Sequence, residues 1–264
     1  RILDAADAMQ QAGIGWIRLY FDWSKIERDS AVYDWYDADS IVNTYDNRGF
    51  SIYITINGGH HIYDTLSEYP DSISPQVGLP PIFPEAINGW YNFLDTLVTR
   101  YKDKVSYWSI WNEPNLEGSW QPTPDPIEYL ELVKITAPFI RSVDPDAKII
   151  AGNTALIDFD FLNSIIDSLV QYIDYLGFHP YRLYPEDDQD NYLVTQLICD
   201  STPMTSFDEE IDSLLKLVNK ADPLGLVKLW DEESGYLSVN EPPVWDDFHI
   251  CDTVQVKNVL RKYF

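Results

Sequence analysis

A chain of 264 residues that is 45% hydrophobic and 14% aromatic can bury a large core and is not a disordered segment. Its 18 Lys and Arg against 43 Asp and Glu leave a formal charge of −25, a field that repels nucleic acid and anionic lipid surfaces. No run approaches the ~18 apolar residues that a membrane span needs, so the expected partner is neutral or cationic, with no nucleic acid and no membrane.

Ile2, Leu3, Ala6, Met9 and Ala12 at helical spacing predict an opening amphipathic helix that Gly13 stops. A strand follows at 16–21. Trp23, Ile26 and Glu27 then lead through Tyr33-Asp34-Trp35 into a helix at about 37–48. The next strand, 51–56, ends in Asn57-Gly58-Gly59-His60, where glycines let backbone approach a ligand closely. A proline-rich loop precedes a helix near 85–101. Strand 105–111 alternates bulky residues as a buried pleat does, and Pro114 ends its pairing.

Helices near 126–142, 159–170 and 207–220 then alternate with strands at 147–151, 175–178 and 227–230, and one more helix is expected over 253–264. This alternation predicts a parallel α/β sheet with helical crossovers. A closed (β/α)8 TIM barrel has eight strands, and six are read here. Residues 1–264 are therefore expected to form a single catalytic barrel domain lacking its first and last strands, the central part of a longer chain. An open sheet would instead leave two exposed edges.

Two strand ends carry the chemistry. Trp111-Asn112-Glu113-Pro114 places a carboxylate at one, and Trp230-Asp231-Glu232-Glu233-Ser234-Gly235-Tyr236 places carboxylates at another. In a parallel barrel the C-terminal strand ends form the active face. If one strand precedes Arg1, these two are the fourth and seventh, which face each other across the mouth. Cleaving an acetal needs a proton for the leaving oxygen and a group to trap the oxocarbenium-like carbon. Retaining glycosidases do both with carboxyls ~5 Å apart. Asp231 and Glu232 are rivals to Glu233, but strand alternation points Glu232 to the opposite side.

These motifs resemble the retaining glycoside hydrolases whose (β/α)8 barrels carry acid/base and nucleophile at the ends of strands four and seven, including xylosidase-like and galactosidase-like branches. Asn112-Glu113-Pro114 looks like their acid/base motif and Glu233-Ser234-Gly235-Tyr236 like their nucleophile motif. The resemblance implies Glu113 as acid/base, Glu233 as nucleophile and Asn112 as the partner of the sugar 2-hydroxyl. It implies that Arg18 steadies the nucleophile and that Tyr181, in His179-Pro180-Tyr181, contacts it. It further implies an oligo- or polysaccharide substrate with β-linked sugars, no cofactor and no required metal. The strand that usually brings a sugar-stacking tryptophan, the eighth, is not read in this sequence.

Other residues have weaker signals. His60 and His61 are neighbours on an extended segment, so they are expected to point apart and make a poor metal pair, although His60 could touch a sugar hydroxyl. His179 is balanced between a site role and a structural one. Trp23, Trp120 and Trp245 fall in strand-end loops where an indole face could stack on a sugar. Glu186-Asp187-Asp188-Gln189-Asp190 reads as a solvated loop rather than a calcium site, and whether Cys199 and Cys251 pair stays open. Two other readings stand beside the glycosidase. One is a catalytically silent barrel that binds carbohydrate; the other is a hydrolase holding a divalent ion at Asp231, Glu232 and His179.

Overall fold

A computed structural model describes residues 2–63, 79–180 and 207–233. In chain order the elements are α1 (Ile2–Gln11), β1 (Trp16–Asp22), α2 (Trp23–Ile26), β2 (Glu27–Asp29), β3 (Val32–Tyr33), α3 (Tyr36–Asp46) and β4 (Ser51–Asn57). They continue with α4 (Pro84–Tyr101), β5 (Val105–Ile110), α5 (Pro126–Val143), β6 (Lys148–Ala155), α6 (Phe159–Leu169), β7 (Tyr175–His179), α7 (Phe207–Ala221) and β8 (Lys228–Asp231). The predicted strands and helices up to residue 231 are all present, and the expected helix at 253–264 lies outside the described residues.

Three details differ from the prediction. A single helical turn, α2, is capped by the Asp22 carboxylate accepting from Ser24 N, and the β2–β3 hairpin follows it. Both are too short to leave a periodic signature. Strand β6 runs four residues past its predicted end at Ala151, because its register with β7 shifts between Gly152 and Thr154 and pairing then resumes. Gly152 at φ +110° and Asn153 at φ +46° make that irregularity, which residues with free access to positive φ accommodate.

The six long strands form one parallel sheet in the order β1-β4-β5-β6-β7-β8. Strand order follows chain order without reversal, whereas a doubly wound sheet reverses at a switch point. The sheet also curls. Trp16 on β1 packs edge-on against Trp230 on β8, 5.4 Å between centroids, so the two ends of the strand series meet across the interior. Tyr53, Tyr107 and Tyr175 complete this inner aromatic layer around Trp230. The described strands are thus part of a (β/α)8-type barrel.

The outer strand faces carry the core. Leu19, Phe21, Ile52, Ile54, Ile56, Trp108 and Ile110 bury against helix residues such as Leu94, Leu97, Val133, Ile140 and Ile166. Each such side chain contributes about 1.5–3 kcal/mol when fully buried, and this layer holds the strand ends in place. Among the described residues no helix is long and apolar enough to cross a membrane.

Candidate active site

The end of β5 is shaped by hydrogen bonds to its neighbours. Trp111 N donates to Ile56 O at 2.8 Å and Glu113 N to Asn153 O at 2.9 Å, while Asn112 N donates to Asn57 Oδ1 at 3.0 Å. Asn153 is fully buried, and its amide nitrogen lies 2.8–2.9 Å from Ser109 Oγ, Ile110 O and Trp111 O. These bonds hold Trp111 at φ +67° and Glu113 at φ +50°. Left-handed backbone costs a non-glycine residue about 1–2 kcal/mol, and it persists where the surroundings over-determine it. The turn swings the Glu113 carboxyl into the mouth of the barrel.

Arg18 reaches the same place from β1. Its Nε donates to Thr55 Oγ1 at 2.7 Å and one terminal nitrogen to Asn112 Oδ1 at 2.8 Å. The other terminal nitrogen forms an ion pair with Glu233 Oε1. His179, at the end of β7, supplies the third wall. Its side chain is wholly buried, with Nδ1 3.0 Å from Glu113 Oε1 and Nε2 3.7 Å from Glu232 Oε2. Nδ1 also lies 4.0 Å from Glu233 Oε2. A carboxylate oxygen of Glu113, one of Glu233 and a ring nitrogen of His179 all fall within 4.8 Å of one another.

The electrostatics of the two glutamates differ. Glu233 faces a guanidinium, which favours its anion; Glu113 faces the imidazole. Burial alone would lower the His179 pKa, but the hydrogen bond to Glu113 and the Glu232 carboxyl outweigh it and hold the imidazole above its ordinary range. The donor atoms of Glu113, His179 and Glu233 are already engaged with one another and with Arg18, an arrangement suited to moving protons. Asp231, Glu232 and His179, the ion-binding set considered from sequence, are not gathered as a cluster.

Five residues singled out from sequence, Arg18, Asn112, Glu113, His179 and Glu233, thus converge. Three others do not. Trp23 is fully buried, its indole N–H donating to Glu27 Oε2 and its ring stacked on Tyr63. Trp120 is fully buried too, edge-on to Trp111 and Tyr129. Neither indole offers a face to a sugar, and both expectations are corrected to core packing. His60 is 1% exposed, with Nε2 2.9 Å from Glu27 O and Nδ1 accepting from Ile62 N. Both ring nitrogens are satisfied, so its expected contact with a sugar hydroxyl is also withdrawn. The His60 and His61 rings stack, 5.0 Å apart, rather than pointing apart. Tyr181, Trp245, Cys199, Cys251 and the acidic run 186–190 lie outside the described residues.

Sequence reading missed Asn57 and Asn153, which set the β5 turn, and Tyr20, which lies on β1 beside Asn57 and Asp22. A polar residue interrupting the end of an apolar strand, as Asn57 and Asn153 both do, was the available signal. The sequence offers Glu232 as a rival nucleophile or as part of an ion-binding set. Its buried carboxyl instead sits on the far side of His179 from Glu113.

Known proteins resemble this chain in sequence and in fold. The family model of glycosyl hydrolases family 39 matches residues 84–259. A segment of 109 residues is 28% identical to a beta-xylosidase of Geobacillus stearothermophilus, covering 37% of this chain and 21% of that protein. Another of 156 residues is 26% identical to an intracellular exo-alpha-(1->5)-L-arabinofuranosidase of Halalkalibacterium halodurans, covering 56% of this chain and 28% of that one. Among solved structures, a family 39 glycoside hydrolase from Bacteroides cellulosilyticus WH2 superposes with a TM-score of 0.75 at 21% identity, over 100% of this chain and 50% of that one. A monomeric beta-xylosidase from Caulobacter crescentus CB15 gives 0.62 at 19% identity, over 91% of this chain and 50% of that one. The chain thus spans about half the length of these solved relatives and matches a smaller share of the two sequence relatives.

Proposed function

Since the chain belongs to glycosyl hydrolases family 39, we propose that it hydrolyses O-glycosidic bonds of β-linked saccharides with retention of configuration. The observation that carries this reading is the approach of the Glu113 and Glu233 carboxyls, with an oxygen of each within 4.8 Å. That spacing suits a covalent double displacement, whereas inverting enzymes separate the pair by about 6.5–9.5 Å to admit a water.

Glu233, ionised beside Arg18, attacks the anomeric carbon. The bond to the leaving oxygen breaks as the Glu113 proton passes to it, leaving a glycosyl ester on Glu233 and a carboxylate on Glu113. A water then gives a proton to Glu113 and its oxygen to the anomeric carbon. The ester bond breaks, and both glutamates return to their starting states. Arg18 donates to Asn112 Oδ1, which leaves the Asn112 amide N–H2 as the group to donate to a sugar hydroxyl. The substrate class is an oligo- or polysaccharide, and a xyloside is the first sugar to try, since two of the relatives are described as beta-xylosidases.

The test is turnover of aryl β-glycosides by wild type, Glu233→Ala and Glu113→Ala with and without azide. Both variants should lose about 10²–10⁴-fold or more in kcat. Azide should restore Glu233→Ala with an inverted glycosyl azide and Glu113→Ala with a retained one. Rescue with the opposite stereochemistry would exchange the roles, and a single-displacement product from wild type would end the retaining reading.

A further inference from the structure

The carboxyl of Glu232 is the least explained group in the site. Its side chain is wholly buried, yet among the described residues neither of its oxygens has a hydrogen-bond partner; the same holds for His179 Nε2 and Asn153 Oδ1. Three unsatisfied buried polar groups in one place are costly, since each has given up its water without a replacement. They are also neighbours. Glu232 Oε2 is 3.7 Å from His179 Nε2, and a Cβ built on Gly177 would stand 2.0 Å from Asn153 Oδ1 and 2.9 Å from Glu232 Oε2. A glycine at 177 leaves the space in which these atoms meet.

We infer that Glu232 is a positioning residue for the acid/base glutamate, holding a proton on the Nε2 side of His179 so that Nδ1–H is always aimed at Glu113. The inference rests on the proposed glycosidase reading. A neutral imidazole has one N–H and two places to put it. With the proton on Nε2, Nδ1 would accept, and the Glu113 acid would direct its hydrogen to His179 and away from the leaving oxygen. With Glu232 accepting at Nε2, both ring nitrogens can carry hydrogen. Nδ1–H then donates to Glu113 Oε1, and the other carboxyl oxygen of Glu113 keeps its proton for the substrate. No net charge is added, because the imidazolium and the Glu232 carboxylate cancel. Nothing is consumed, since the proton stays between Nε2 and Oε2 throughout the cycle.

The surroundings support a shared proton here. The imidazole faces Glu113, Glu232 and Glu233, with Arg18 as the opposing cation. Among the described residues, Asp231 and the phenols of Tyr53 and Tyr129 also lie near Glu232. Tyr53 donates to the Glu232 backbone carbonyl at 3.3 Å and Tyr129 to Ile110 O at 3.0 Å, so neither hydroxyl hydrogen is directed at the carboxyl. Among the described residues, His179 Nε2 is the nitrogen that faces the Glu232 carboxyl, at 3.7 Å.

The experiment compares wild type with Glu232→Gln, the isosteric uncharged variant, in two readouts. The first is the ratio of kcat/KM for 2,4-dinitrophenyl β-xyloside, whose leaving group needs little protonation, to that for methyl β-xyloside, whose leaving group needs it fully. This ratio should rise at least about tenfold in the variant, a lost share of the 10²–10⁴-fold general-acid effect. An equal loss on both xylosides, or none on either, would mean that Glu232 only fills space and would overturn the proposal. The second is the ¹⁵N spectrum of the imidazoles, with His179 assigned by Glu232-independent loss of its signals in His179→Gln. The His179 imidazolium should titrate at least about one pH unit lower in Glu232→Gln, as expected when a carboxylate within ~4–6 Å is removed. An unchanged titration would overturn the proposal even if the variant is less active. If wild type hydrolysed neither xyloside, the choice of sugar would fail, the ratio would be measured on the β-glycoside that wild type does turn over, and the imidazole spectrum would still decide the role of Glu232.

Discussion

Arg18 joins three strands with one guanidinium. It touches Thr55 on β4, Asn112 after β5 and Glu233 after β8, a three-way fork that an ammonium group cannot reproduce. Arg18→Lys should therefore lower kcat/KM about 10²-fold, the scale of removing one preorganised electrostatic partner. Steady-state kinetics would check this, and a change under about twofold would mean that Glu233 does not need the pairing. His179 carries a second consequence at this scale. Its folded-state pKa is raised, so its pairing stabilises the fold in full below the unfolded value of about 6.5 and is lost as pH rises through the folded one. The same protonation that aims Nδ1–H at Glu113 thus strengthens the barrel mouth on the acidic side.

At the scale of elements, the site is made by strand ends that stop in unusual ways. β5 turns through two left-handed residues and β6 through Gly152 and Asn153, and the Asn153 amide ties the two irregularities together. β7 takes part through an absence, since Gly177 leaves room for Asn153 and Glu232. Gly177→Ala should be destabilising by about 1–3 kcal/mol, as overpacking in a filled interior is, and thermal unfolding would measure it. Activity should fall with it, because the Asn153 and Glu232 side chains are the ones that must move. A neutral effect would mean that this region is looser than the packed distances indicate. The parts of this arrangement that alternation could reveal, the strands and helices themselves, were legible in the sequence. The bulge in β6 and the α2 turn with its hairpin were not, because each is a single local departure with no period to detect.

For the whole molecule, the dominant fact is a formal charge of −25. Ion pairs such as Arg100 with Asp39, Arg141 with Asp174 and Arg48 with Asp7 bind outer elements together, yet 18 cations cannot neutralise 43 anions. Net repulsion should dominate at low salt. Raising ionic strength from about 0.01 to about 0.15 M shortens the Debye length from ~30 to ~8 Å, and the thermal midpoint should rise with it. A falling midpoint would mean that the local pairs outweigh the general field. The acidic shell also suits a neutral saccharide better than an anionic partner.

The sequence by itself determined the order and kind of the elements and the two strand-end glutamates, since hydrophobic period and turn residues are written locally. It also pointed to Arg18 and Asn112, through the resemblance of their motifs to those of retaining glycoside hydrolases. Which aromatic residues line a cleft was a different matter. Trp23, Trp120 and His60 sit near strand ends in the chain and inside the core in space, and nothing local distinguishes an indole that faces solvent from one that faces Phe93 or Tyr129. The partnership of Glu232 with His179 joins residues on two strands through a gap left by a third residue, Gly177. Only the closed packing of the barrel decides it, because the distance between those side chains depends on sheet curvature and register, quantities no single strand contains.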